Sequence, residues 1–169
     1  MPGDAPFITP NGVRRQGVAD GGGGAISGAL PGSAEPERSA TDLMARKAAL
    51  FGDEVTRQAI LAARTPGECK ALGRRVSPYD DARWAEERFG VALDMLRLKF
   101  GQNARLRAAL LATGEAELVE AAPDDRIWGI GFSEQDAPGA RQAWGENLLG
   151  HALMAVRAEL GGNDSLKGA

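Results

Sequence analysis

Cysteine and histidine are almost missing from this 169-residue chain, which has one of each, Cys69 and His151. A lone thiol cannot close an internal disulfide, and without thiol or imidazole partners at ligand spacing it cannot anchor zinc. No metal site is expected, and a reducing compartment, the cytoplasm, suits this cysteine usage. Long apolar runs are absent as well: no stretch approaches the roughly 18 consecutive apolar residues of a membrane helix, so a soluble protein with no membrane partner is expected. Blocks of one charge sign are also lacking. The formal net charge of -3 is spread, with basic residues interleaved among acidic ones, so an extended nucleic acid is not the expected partner. A phosphate-binding glycine loop is missing too, because the GxG of Gly129 to Gly131 lacks both a third glycine and a strand-to-helix setting. No cofactor is called for by these residues, and no internal repeat is visible.

What is present is an ordinary globular composition, 43% hydrophobic and 25% charged, enough for one domain with its own core. The organisation is uneven along the chain. Residues 1–39 are rich in Gly and Pro and have no sustained period, so they are read as a largely disordered leader. Arg14 and Arg15 superficially suggest an export signal, but Asp20 and Gly21 to Gly24 interrupt what should be its apolar segment. The folded domain is placed at 40–162 and a flexible tail at 163–169.

Within the domain, helices are expected over Thr41 to Leu50, broken at Gly52, and from Asp53 onward, with Val55, Ala59 and Ala62 on one face and Ile60 beside them. Thr65, Pro66 and Glu68 form a capping-box start for a third helix, which would carry Lys70 and Arg74 on one face if it reaches that far. A long central helix over Asp80 to Phe100 has Phe89, Ala92, Leu93, Leu96 and Phe100 as its stripe. Asn103 caps a fifth helix, and a last one runs from Glu146 to Leu160, stopped by Gly161 and Gly162. Between them, Glu117 to Ala121 and Ile127 to Phe132 read as two strands joined by Pro123, Asp124 and Asp125, a small β-hairpin. The fold class is therefore α+β, a mostly helical single domain.

The hairpin's second strand would put Trp128, Ile130 and Phe132 on one face and Ile127, Gly129 and Gly131 on the other. Alternate glycines leave a bare face that something approaches closely, either a flat ligand or a packed helix. Glu120 and Asp125 flank the turn, where two carboxylates in unlike environments can divide acid and charge-stabilising roles, although a solvated turn is the plain reading. Trp128 and Trp144 can stack on a planar base or pack in the core. Asn147 is either an N-cap or a ligand contact, and His151 follows it one turn later. Lys47 and Lys70 are flanked by apolar residues, where a lysine can lose its proton and act as a nucleophile or simply extend to water.

These segments together resemble the NADAR family, also called YbiA-like proteins. The matching pieces are KAALFGDE from Lys47, TPGECKALGRRV from Thr65, Trp84, the run from Lys99 to Phe132, and WGENLLGHALMAVRAEL from Trp144. The distinctive SPxDxxWGxG motif is seen here from Ala122 through Pro123, Asp125, Trp128 and Gly129 to Gly131, with Ala122 in place of the serine. The resemblance implies a hydrolase cleaving a ribosyl to nitrogen bond, in a phosphoribosylamino-pyrimidine of riboflavin synthesis or an ADP-ribosylated base. It further implies catalytic roles among Asp125, Glu120, Lys47 and Lys70, and substrate contacts from Trp128, Gly129, Gly131, Trp144, Asn147 and Arg74. The substrate would be a ribosylated nucleotide or ADP-ribose-type small molecule. The chain departs from the family where its EHYxxxxKA helix should stand: here the residues are ATDLMARK, with Ala40 at the glutamate position and Thr41 at the next. The family register resumes near Met44, so the first 43 residues read as a natural truncation or fusion, or as the product of an altered frame. The alternative function is accordingly an inactive or binding-only nucleotide module lacking part of the pocket.

Overall fold

The computed structural model describes the backbone of residues 7–9, 12–14 and 35–167, and the side chains of 40–162. It divides into two compact units, one of residues 32–98 and one of residues 1–31 with 99–169.

In the first unit, α1 (Glu35–Leu50), α2 (Glu54–Ala62) and α3 (Pro66–Gly73) pack against one another, and α4 (Asp81–Gln102) belongs to it as far as Leu98. The break at Gly52 is a Schellman turn. Gly52 has φ 74°, its amide donates to Ala49 O at 3.0 Å, and the Asp53 amide donates to Ala48 O at 2.9 Å. Asp53 then starts α2, accepting from Thr56 N at 2.9 Å through one carboxylate oxygen and from Ser77 N at 2.9 Å through the other. These bonds favour the ionised form and hold its pKa below the usual carboxylate value. The Thr65 capping box closes as expected. Thr65 Oγ1 accepts from Glu68 N at 3.2 Å, and Glu68 Oε2 accepts from Thr65 N at 3.2 Å.

One helix face differs from expectation. Val55 is 85% exposed and Ala59 and Ala62 are exposed, while Ile60 alone on α2 is fully buried. A nine-residue helix can turn one side inward, and burying a single isoleucine removes more apolar surface than burying small alanines. In α4, Ala92, Leu96 and Phe100 are buried as the stripe predicted, joined by Met95, with Phe89 and Leu93 half-buried.

In the second unit, α5 (Ala104–Leu111) is capped by Asn103, whose Oδ1 accepts from Leu106 N at 3.1 Å. It packs on α6 (Leu148–Lys167), which also covers β3 (Val119–Glu120). Ala152, Leu153 and Val156 are the buried face of α6. Gly161 and Gly162 do not stop this helix, which continues to Lys167 where a flexible tail was expected. A helical glycine costs about 1 kcal/mol against alanine, a weak penalty rather than a terminator. Residues 168 and 169 lie outside the described residues.

The expected hairpin is corrected. β3 pairs in parallel with β1 (Phe7–Thr9), with Phe7 opposite Val119 and Ile8 opposite Glu120, and β1 pairs antiparallel with β2 (Gly12–Arg14). Ile127 to Phe132 is not a strand but a chain of turns. The reason is local: Asp125 Oδ1 accepts from Ile127 N at 2.9 Å and Trp128 N at 2.8 Å, drawing into a turn the two amides a strand would use. Within the leader read over 1–39, the described parts are β1, β2 and the start of α1, and the rest lies outside the described residues. Among the described residues no helix is long and apolar enough to cross a membrane.

Candidate functional site

In the second unit, the turns at 125–131 are bonded to the residues that lead into α6. Carbonyls of Ile127 and Trp128 accept from Leu148 N at 3.0 Å and Leu149 N at 3.1 Å, so the first two amides of α6 are already partnered. Gly129 O accepts from Asn147 N at 3.2 Å, and Ile130 O from Gly145 N at 2.8 Å. A helix start that would otherwise attract an anion is here occupied by its own chain.

Asn147 is the pin of this arrangement. It is 4% exposed and has φ 49°, a left-handed conformation asparagine tolerates. Its Oδ1 accepts from Glu120 N at 3.0 Å and its Nδ2 donates to Leu118 O at 3.0 Å. The side chain therefore does not act as the expected N-cap. It caps no helix; buried, it clamps the edge of β3. Only its carbonyl acts as a cap, accepting from His151 N at 3.0 Å. His151 is exposed.

The bare glycine face turns out to be filled by the chain itself. A Cβ on Gly129 would lie 2.8 Å from Glu120 O and 3.0 Å from Asp125 O, and one on Gly150 would overlap Leu118 O and the Asn147 amide. Gly145 lies as closely on the Arg126 backbone, and Gly131 has φ 76° beside the Arg126 side chain. Trp144 is half-buried and packs with Val119, Ala121, Ile130, Ala137 and Phe132, its Nε1 donating to Ala137 O at 3.0 Å. Glu120 is 7% exposed on β3. This unit thus brings Glu120, Asp125, Trp128, Gly129, Gly131, Trp144 and Asn147 together, most of them as framework. Trp128 is half-buried. A surface cavity of about 350 Å³ between Leu111, Glu115, Met154 and Arg157 holds none of them.

In the first unit the three expected side chains separate. Lys70 and Arg74 are exposed, α3 ending at Gly73. Lys47 is 9% exposed, and its Nζ donates to Gly73 O at 2.9 Å. The same nitrogen sits 4.3 Å from the centroid of the Tyr79 ring and 5.6 Å from that of Trp84. Burial in this aromatic surrounding lowers the Lys47 pKa, against an opposing pull from the Asp81 charge. Gly73 allows the approach: a Cβ there would overlap Met44, which lies on α1 one turn before Lys47. Tyr79, Asp81, Gly73, Gly145 and Gly150 were not singled out from sequence. The signal for Tyr79 was present, as the chain's single tyrosine just before a helix, but only packing shows which amine its ring faces. Among the described residues no group of His, Cys, Asp and Glu is arranged to hold a metal.

Residues 38–161 match the model of the NADAR domain. The chain is 42% identical over 119 residues to an N-glycosidase of Acanthamoeba polyphaga mimivirus, covering 69% of this chain and 70% of that protein. It is 37% identical over 121 residues to Protein irg-1 of Caenorhabditis elegans, covering 69% of this chain and 57% of that one. To N-glycosidase YbiA of Escherichia coli it is 36% identical over 110 residues, covering 65% of this chain. The chain thus spans 57% and 63% of the last two relatives, less than two thirds of each. The NMR structure of the E. coli protein YbiA is similar with a TM-score of 0.60 and 34% identity, over 75% of this chain and 68% of that one. With its NADAR match spanning both described units, this chain belongs to the NADAR domain family.

Proposed function

We propose that this chain is an N-glycosidase that hydrolyses a ribosyl to nitrogen bond, using Lys47 as its nucleophile. The observation that carries the reading is the Lys47 amine itself, held on a carbonyl and faced by two rings, and buried so that desolvation favours the neutral form a nucleophile needs. In the reaction, the neutral amine adds to C1′ of the ribosyl group and the bond to the base breaks. One amine proton goes to the departing nitrogen and the other to the ring oxygen as the sugar opens, leaving a lysine imine. One water then hydrolyses the imine, releasing the sugar aldehyde and restoring the amine. A phosphoribosylamino-pyrimidine or an ADP-ribosylated base is the proposed substrate, since both present such a bond.

Lys70 and Arg74 are exposed and lack the burial that marks Lys47, and Asp125 is read as framework, holding the turn that carries Trp128. The test is turnover of a phosphoribosylamino-pyrimidine by the purified protein, with cyanoborohydride added to reduce the imine. Ribose 5-phosphate release and a stable adduct on Lys47 are expected, both lost in Lys47→Met and kept in Lys70→Met. Full turnover by Lys47→Met would overturn the assignment.

A second reading, binding without hydrolysis, is favoured by one feature: Ala40 stands where the family has a glutamate, and the adjacent Thr41 hydroxyl is engaged with Cys69 Sγ at 3.1 Å. It predicts a rise in Tm with ADP-ribose and no product.

A further inference from the structure

We infer that Tyr79 and Asp81 are positioning residues acting through Lys47: the Tyr79 ring holds the amine against Gly73, and Asp81 supplies the amine's counter-charge. The inference rests on Lys47 being the reactive group of the proposed hydrolase. Its geometry is independent of which substrate is cleaved.

Tyr79 lies in the segment between α3 and α4, and Asp81 is the first residue of α4. One ring thus meets three partners. Lys47 Nζ is 4.3 Å from its centroid, Phe51 meets it edge to face at 5.1 Å, and the Asp81 charge, after burial, helps keep its hydroxyl protonated. Phe51 is itself buried at the end of α1, with the Arg83 guanidinium 5.5 Å from its ring centre. Tyr79 is nevertheless 41% exposed, which makes the ring a wall for the amine that stays reachable from solvent. A lysine stem has four rotatable bonds, and without that wall only the Gly73 carbonyl and the more distant Trp84 ring would keep Nζ from swinging to water.

The two residues push the amine in opposite senses. The ring excludes water, which disfavours the ammonium, and its π-face returns only part of that cost. Asp81 favours the ammonium by its charge. Other charged side chains stand on the surrounding elements, Glu54 on α2, Lys70 and Arg74 at the end of α3, and Asp80 and Arg83 where α4 begins. Balanced in this way, the amine can be neutral for attack and regain its proton when the imine is hydrolysed.

The experiment is an NMR titration of the Lys47 side chain in the full chain, with its signal assigned by loss in Lys47→Arg. Tyr79→Ala, which opens the wall to water, should move the midpoint up toward ordinary lysine, Tyr79→Phe should keep most of the parental position, and Asp81→Asn should move it further down. Tyr79→Ala titrating like the parent, or Asp81→Asn moving the midpoint up or not at all, would overturn the inference. Asp81→Asn is nearly isosteric at an exposed site and keeps the test informative if Tyr79→Ala folds poorly. In parallel, ribose 5-phosphate is trapped on each variant with cyanoborohydride, and the pH of half-maximal trapping should follow the titration midpoints. No trapping in the parent would count against the glycosidase reading alone, because the titration requires no turnover.

Discussion

Replacing Asn147 is the sharpest perturbation of this fold. Its amide satisfies two backbone groups at once, the Glu120 N–H and the Leu118 C=O, each at 3.0 Å and each in a buried contact. In Asn147→Ala both groups lose this partner, at about 1–3 kcal/mol apiece. The alanine must also hold φ 49°, which adds about 1 kcal/mol that asparagine largely avoids. The expected loss is about 3–7 kcal/mol, a large part of the roughly 5–15 kcal/mol that holds a typical domain. Asn147→Gly separates the two contributions, because glycine accepts the positive φ but restores neither bond; it should recover about 1 kcal/mol of the alanine loss. Asn147→Asp keeps an acceptor for Glu120 N but sets a second oxygen against Leu118 O, so it should be worse at neutral pH than in mild acid. Urea unfolding followed by circular dichroism measures all three, and amide exchange at Glu120 reports the local effect. If Asn147→Ala and Asn147→Gly both unfold within about 1 kcal/mol of the parent, the clamp is not what secures β3.

Two glycines should respond in opposite senses. Gly150→Ala puts a methyl onto Leu118 O and the Asn147 amide, both buried, and should destabilise by about 1–3 kcal/mol, whereas Gly90→Ala in α4 meets no atom within 4 Å and should stabilise by about 0.5–1 kcal/mol. Matched urea curves decide this, and equal effects would refute the packing argument. Thr65→Ala removes one half of the capping box on α3 and should cost about 1 kcal/mol, with Thr65→Ser restoring most of it. Lys47 gives a pH signature. Its pKa is lowered in the folded state, so between that value and the ordinary 10.5 the unfolded chain binds more protons, and stability rises with pH across this window. Relative to Lys47→Met, the parent should therefore gain stability as the pH is raised toward 10.5, and a parallel or falling difference curve would contradict the burial.

Much of the helical framework was legible in the chain itself because its signals are local. Asp53, Thr65 with Glu68, and Asn103 each start a helix through bonds spanning three residues, and the 3.6-residue period of α4 and α6 marks their buried faces without knowledge of any partner. The site was half legible. Lys47 drew attention by its apolar neighbours, and the glycines at 129 and 131 by their spacing, but the chain could not say what fills a bare glycine face. That answer needs residues far apart in sequence, since Glu120 and Asn147 are 27 positions apart. Ile127 to Phe132 alternates like a strand, yet Asp125 captures its first amides and α6 takes its carbonyls, so the tertiary structure overrides the period. Likewise, Lys47 and Lys70 both read as candidates from their neighbours; one is buried against Gly73 and two rings, the other faces water. Helix starts and stripes follow from neighbours a few bonds away, so sequence alone determined them. Which amine is dry, which glycine is filled and which strand β3 pairs with depend on approaches across the fold, and only the tertiary structure decided those.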